Sequence, residues 1–372
     1  MSDAFIISAR RTPVAPRNGM FRKMEIADLV TPVIHALLSD AGLRAQDVDD
    51  VILGNALYAG GNPARLASLA AGLPLGVPAM TIDTQCCAGL DAIALAASRI
   101  RAGDGHVIIA GGVESFSRSP LRTRRPRDDG EMGRPYDRPP FSPWPDRDPD
   151  LVEAAAELAR TRGYTRAAQE LFAMESHAKA IAADHRAELV MLGGLDSDAF
   201  KRRLSARICA RLPLIAGDNA CGLTAATIAV EADAAAMALV ISREVLTRLS
   251  IGYVLRLHST RRVGLEPAQP ATGAQAAARG LLEMAGRAPA VAEVMESFAS
   301  QAMAAIHDLG LIAAAVNRGG GALSRGHPIG ASGGILAVRL FHEMKSESHG
   351  AVGLAAIAAA GGLGSAALFE RV

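Results

Sequence analysis

The order of expected elements in the first third of the chain recurs in the last third. Over 25–41 the apolar residues Ile26, Leu29, Val30, Val33, Ile34, Leu37 and Leu38 keep the period of a helix with one buried face, and Gly42 ends it. A strand-like run follows from Val48, then a helix over 64–71, a turn from Gly72 to Pro78, the short run 79–82 and the segment TQCCAG. The next helix spans 88–102, closed by Gly103, and a buried strand over 106–110 ends in Gly111-Gly112. The last third reads helix 273–285, strand 290–295, helix 298–308, a glycine-rich loop containing His327, helix 330–344, strand 352–358 and a second pair, Gly361-Gly362. A duplicated βα unit of this kind predicts an α/β fold of two similar halves packed about a pseudo-twofold axis. The loops holding Cys86-Cys87 and His327 then occupy equivalent places and face one cleft.

A length of 372 residues suits two such halves plus an insertion. Half the residues are hydrophobic, which excludes disorder. The balance of 39 Lys+Arg against 38 Asp+Glu leaves a formal charge of +1, so no electrostatic footprint for nucleic acid or an anionic membrane is present. A small molecule or another subunit is the expected partner. Aromatics at 4% and 37 glycines suit close packing of helices on a sheet. The four cysteines, Cys86, Cys87, Cys209 and Cys221, include no CxxC pair, and the adjacent Cys86 and Cys87 are badly placed for an ordinary disulfide. A reduced, cytoplasmic protein is expected. In MSDAFIISARRTP the apolar stretch precedes the arginines, the reverse of a secretory signal. The uncharged stretch 350–369 has the length of a bilayer crossing, but Gly and Ala dominate it and Gly361-Gly362 divides it. Two short buried strands joined by a glycine turn are expected there instead.

Between the halves, 116–150 holds eight prolines and eight arginines, where few regular elements survive. A helical stretch follows, with Leu171, Phe172, His177 and Ile181 near helical spacing. The predicted organisation is an N-terminal half over 1–115 and 212–249, an inserted loop domain over 116–211, and a C-terminal half over 250–372. Some of the inserted arginines are candidates to meet ligand phosphates, while most are expected as solvated surface charge.

Cys86 and Cys87 precede Ala88-Gly89 at a helix start, whose unpaired N–H groups and dipole favour an anion and lower a thiol pKa. Free cysteine is also among the most buried and inert residue types, so position alone leaves both readings open. His327 lies in GGGALSRGHPIGASGG, where dense glycines suit an imidazole close to a ligand better than a packed core. That run lacks the Lys-Ser/Thr ending of a P-loop and the GxGxxG of a dinucleotide site, and no metal-ligand spacing occurs in the chain. A cysteine on one loop and a histidine on its counterpart make the thiol–imidazole pair used for covalent acyl transfer.

At this point the chain resembles the thiolase family. The resemblance runs through ARRTPVAPRNG, TQCCAGLDAIALAA, IIAGGVESFSRSP, GYTRAAQELFAMESHAKA, DNACGL, MESFASQ, GHPIGASGG and GLAAIAAAGGLGSAAL. It implies duplicated halves in a five-layered α/β/α/β/α fold with an inserted loop domain, coenzyme A thioesters as substrates with no permanently bound cofactor, and a homodimer or a tetramer of dimers. It makes Cys86 the acyl-accepting nucleophile, with Cys87 in a small-residue position, and His327 its activating base. The backbone N–H groups of Cys86 and Ala360 form an oxyanion site, Cys221 stands where the family usually has a serine close to coenzyme A, and Gly217 and Leu151 line the pantetheine channel.

Two positions depart from the family pattern. Ala358 stands where a second cysteine moves the proton of the condensation step, and Met295-Glu296-Ser297-Phe298 replaces an Asn-Glu-Ala-Phe motif whose asparagine holds a water in the other oxyanion site. General acid–base assistance is typically worth about 10²–10⁴ in rate and one oxyanion donor about 10²–10³, so an impaired Claisen step is expected. Cys87, Cys221 and His327 are the candidates to replace the missing acid. Three readings result: a thiolase-type acyltransferase, a non-condensing homologue that binds acyl-CoA as a partner subunit, and an acyl-CoA thioesterase.

Overall fold

A computed structural model describes every residue except Met1, Ser2 and Ala59. The predicted repeat is present as two half-sheets of matching connectivity. The first contains β1 (Ala4–Arg11), β2 (Asp50–Gly54), β3 (Ala79–Ile82), β4 (Val107–Ser115) and β5 (Ala232–Ser242), in the order β3-β2-β4-β5-β1. Strands β3, β2 and β4 run parallel, and β5 is antiparallel to both β4 and β1. The second contains β6 (Leu255–Gly264), β7 (Val291–Val294), β8 (Val352–Ala359) and β9 (Leu363–Arg371), in the order β7-β8-β9-β6. Here β7 and β8 are parallel while β9 is antiparallel to both neighbours, and a parallel bridge from Ala292 to Val316 stands in the place that β3 holds in the first half. The halves meet where β1 pairs with β6 through Phe5–Arg256 and Ile6–Leu255, which joins these nine strands and the two-residue strand Ala15–Pro16, paired with β5, into one ten-stranded sheet.

Helices cover these half-sheets in five layers. Helices α1 (Ile26–Ala41) and α2 (Pro63–Ala70) cover the outer face of the first half. Helix α3 (Ala88–Ala102) of the first half and its counterpart in the second, running from Ile329 to Glu343, lie between the half-sheets, and α6 (Gly273–Ala285) covers the outer face of the second. The strand period of two divides the side chains between layers: Phe5, Val51 and Leu53 face the first outer core, whereas Ile6 and Ile52 face the central one. On β8, Ala355 and Ile357 turn to the centre and Leu354 and Ala356 turn outward. The uncharged stretch 350–369 is the β8–β9 hairpin, turned by Gly361 at φ 71° and Gly362 at φ 77°. Among the described residues no helix is long and apolar enough to cross a membrane.

Gly111-Gly112 does not end a strand as the sequence suggested. Both residues lie inside β4, because the sheet is pressed against the central layer there: a Cβ on Gly112 would stand 1.9 Å from the carbonyl oxygen of Gly330. The same compression explains the glycine-rich loop around His327, which is buried between the halves although its composition suggested something unlike a packed core.

Between β4 and β5, the proline-rich stretch forms two short 3₁₀ turns, Phe116–Arg118 and Pro145–Arg147, and the two-residue strands Thr123–Arg124 and Arg134–Pro135. The helices α4 (Leu151–Arg162) and α5 (Arg166–Ala182) follow. On α5 the buried face is Gln169, Glu170, Ala173, Ser176, His177 and Ala180, while Leu171 and Ile181 are exposed, so the apolar residues that suggested the helix do not mark its inner side. Several arginines of the stretch are engaged by the protein itself: Arg138 with Asp148, Arg147 with Glu266 and Arg118 with Glu25.

Candidate active site

Two loops from the two halves meet at one point. Cys86 lies in a short 3₁₀ turn, Gln85–Cys87, that leads into α3. The residue before it, Gln85, is in the left-handed region at φ 54°, a conformation that costs about 1–3 kcal/mol in a non-glycine residue and clusters at functional turns. Asp83 Oδ1 accepts from the Gln85 N–H at 2.8 Å and holds this turn. His327 immediately precedes the central helix of the second half, and its backbone N–H donates to the Val230 carbonyl at 2.7 Å. Cys86 Sγ stands 3.1 Å from His327 Nε2.

The protonation state follows from the hydrogen-bond chain. Burial pushes the Cys86 thiol up to about 12, with the Glu114 and Asp83 carboxylates acting the same way, and burial pushes His327 down to about 4. The resting pair is therefore a neutral thiol and a neutral imidazole. The expectation that the helix start lowers the thiol pKa is overturned: the sulfur lies in the 3₁₀ turn ahead of the helix, and desolvation outweighs the backbone hydrogen bond that favours the thiolate. A neutral thiol needs an acceptor, which is Nε2, so the imidazole proton is on Nδ1. Ser332 Oγ accepts it at 2.6 Å and donates onward to the Pro328 carbonyl at 3.3 Å. Every donor in this chain has an acceptor only in that tautomer.

Glu114 ties the segment that follows β2 to the helix that follows His327. It accepts from Asn55 Nδ2 at 2.7 Å, from the Ala56 and Leu57 N–H groups, and from the N–H of Gly330 at the start of the helix that carries Ser332. Glu296 does the same on the other side, accepting from Ser176 Oγ of α5, Asn317 Nδ2 and the Leu323 N–H.

Cys86 and His327 open into a cavity of about 110 Å³ that also contains Leu151, Ala358 and Ala360. Its other walls are largely apolar and include Ala154, Ile228 and Phe298. Cys221 and Gly217 do not reach this cavity. They line a second one of about 490 Å³ with Pro149, Glu153 and Arg160, and Ala154 borders both. Leu151, the first residue of α4, is positioned by Asp150, whose carboxylate caps the helix at the Val152 and Glu153 N–H groups. Cys87 turns away from the cavity and its Sγ donates to the Ile357 carbonyl in the central core. Met295 is buried in the same core. Among the described residues no cluster of His, Cys, Asp and Glu is arranged to hold a metal ion.

Ser297 and Gln301, which also line the cavity, were not singled out from the sequence. The signal was present in MESFASQ, where Gln301 follows Ser297 by about one helical turn and so returns to the same side of the chain.

Comparisons with known proteins agree with this geometry. The thiolase N-terminal domain family matches residues 4–192 and the thiolase C-terminal domain family residues 252–371. The putative acetyl-CoA C-acetyltransferase YhfS of Bacillus subtilis is 38% identical, over 99% of each chain. The acetyl-CoA acetyltransferase of Cupriavidus necator is 36% identical over the full length of both chains. Among solved structures, the Acat5 thiolase from Ascaris suum in complex with coenzyme A superimposes with a TM-score of 0.90 at 29% identity and full coverage of both chains. The acetyl-CoA acetyltransferase of Bacillus anthracis gives a TM-score of 0.88 at 28% identity, covering 100% of this chain and 99% of that one. With both family domains matched in order and relatives aligned end to end, the chain belongs to the thiolase family.

Proposed function

We propose that the protein is an acyltransferase that takes an acyl group from a coenzyme A thioester onto Cys86 and carries out Claisen condensation poorly. The observation that carries this reading is the 3.1 Å approach of Cys86 Sγ to His327 Nε2 within a cavity. His327 takes the thiol proton as sulfur attacks the thioester carbonyl, and the backbone N–H groups of Cys86 and Ala360 receive the developing oxyanion. The carbon–sulfur bond to coenzyme A then breaks, and His327 returns the proton to the departing thiolate. Leu151, Gly217 and Cys221 mark the path of the pantetheine arm from the outer cavity to the inner one.

The condensation step is the weak one. Ala358 has no proton to move and Met295 no hydrogen bond to offer. Of the substitutes considered, Cys87 points into the core and Cys221 lines the other cavity, which leaves His327. The methyl group of Ala358 in the cavity also favours a second reading, a non-condensing homologue that binds acyl-CoA as a partner subunit. A thioesterase, in which water resolves the acyl-Cys86, lies between the two. We read the protein as cytoplasmic and as a homodimer or tetramer of dimers. The edge strand β3 is consistent with self-association, since Met80 on it and the nearby Leu75 are exposed.

The test is incubation with acetyl-CoA followed by mass analysis of the Cys86 peptide. A gain of one acetyl group supports the acyltransferase. Release of free acetate as well indicates the thioesterase, and a protein that binds acetyl-CoA without labelling Cys86 indicates the partner-subunit reading.

A further inference from the structure

Gln301 belongs to α7 (Ala299–Asp308) and lies in the wall of the cavity that holds Cys86 and His327. It is only 2% exposed, yet its Nε2 has no hydrogen-bond partner. The orientation of the carboxamide is fixed by its other end: the Ser297 N–H donates at 3.3 Å, and only the oxygen can accept it. The amide nitrogen is thus the end left over. A buried N–H donor without a partner is costly, and such groups are retained where something else satisfies them.

Resting on the reading that Cys86 takes an acyl group from a thioester, we infer that Gln301 Nε2 donates a hydrogen bond to the carbonyl oxygen of the acyl thioester. Gln301 and Cys86 line the same small cavity, of about 110 Å³, so a carbonyl placed there for attack by Cys86 enters a space that Gln301 borders. The oxygen becomes an alkoxide with three lone pairs as sulfur adds to the carbon. Gln301 then contributes a third donor beside the Cys86 and Ala360 amides. Substrates are accordingly confined to those presenting a carbonyl next to the sulfur, and a coenzyme A thioether lacks the group that Gln301 recognises.

Two variants separate this role from anchoring Ser297. Gln301→Leu removes both functions of the carboxamide, whereas Gln301→Glu keeps an oxygen for the Ser297 N–H and loses the donor. The measurements are the single-turnover acetylation of Cys86 by acetyl-CoA and the dissociation constant of S-ethyl-CoA, a thioether with no carbonyl. Both variants are expected to acetylate slower by on the order of 10² while thioether affinity stays within about twofold of wild type. Wild-type acetylation in either variant overturns the assignment, as does a parallel loss of thioether binding, which marks a structural role. A wild-type protein that is never acetylated overturns the parent reading and the inference with it, whereas an acetylated wild type with unaffected variants overturns the role of Gln301 alone.

Discussion

Ser332 Oγ lies 2.6 Å from His327 Nδ1 and spends its own hydrogen on the Pro328 carbonyl, so the hydroxyl acts toward the imidazole as an acceptor. The neutral ring is thereby held with Nε2 bare and facing the Cys86 thiol. Ser332→Ala removes that control of the tautomer and leaves Nδ1 without a fixed partner. Acetylation of Cys86 in a single turnover is expected to slow by about tenfold, the value of one buried hydrogen bond. An unchanged rate shows that the ring is oriented by packing alone.

The pH dependence of the acylation step follows from the same pair. His327, pushed down to about 4 by burial, stays unprotonated far below the range in which an ordinary histidine titrates, and Cys86, pushed up to about 12, keeps its proton through neutrality. Raising the pH therefore neither creates the base nor removes the thiol proton in advance. Lowering it abolishes the base only as the pH falls through about 4. The Cys86–His327 pair itself gives no inflection between about pH 5 and pH 9, any step near 7 belongs to Glu114, whose buried carboxyl is raised to about 7, and an inflection near 8.5 contradicts the assignment. Removing the base by His327→Ala should lower the rate by about 10²–10⁴ throughout that range, measured on the Cys86 peptide.

The architecture was legible because it is written in repeated local signals. The periodic Ile26 to Leu38 face, the helix closed by Gly103 and the helix Gly273–Ala285 are formed as expected, since each has a single buried side and a defined stop. The meeting of Cys86 with His327 followed from the repeat itself, which places equivalent loops across a pseudo-twofold axis. What sequence could not convey was the effect of the other half on each segment. Gly111-Gly112 reads as the end of a strand until the Gly330 carbonyl is seen against it, and the loop around His327 reads as unlike a packed core until both half-sheets close over it. The thiol shift was missed for the same reason: a helix start is visible in one segment, whereas desolvation depends on everything packed around the sulfur. Gln301 stayed unremarked because nothing along the chain shows that its oxygen is taken by the Ser297 N–H and its nitrogen is not.

Close contact between the halves makes Gly112 sensitive. A methyl group there meets backbone on the opposing helix, the Gly330 oxygen at 1.9 Å and Ala331 Cα at 3.1 Å, and neither can rotate away. Gly112→Ala should destabilise the fold by roughly 1–3 kcal/mol or more, read as a shift in the midpoint of denaturant unfolding. Because the same helix carries Ser332 and follows His327, acylation of Cys86 should fall alongside stability. A variant as stable as wild type shows that β4 and the helix separate at no cost.

Ala358 offers the most direct way to locate the deficit in condensation. The residue lines the cavity that Cys86 also lines, and Ala358→Cys adds a single sulfur atom there. On the proposed reading the variant regains a proton carrier and condensation of acetyl-CoA rises, by up to about 10²–10⁴ if proton transfer alone limits the wild type. Met295 still provides no hydrogen bond, so the gain should fall short of that range and increase further in a double variant with Met295→Asn, by about 10²–10³ if the oxyanion donor is fully restored. Acetylation of Cys86 should change little in either, because neither position takes part in forming the acyl-enzyme. Near-zero condensation in both variants, with Cys86 still acetylated, assigns the loss to the acceptor site as a whole rather than to one missing proton carrier.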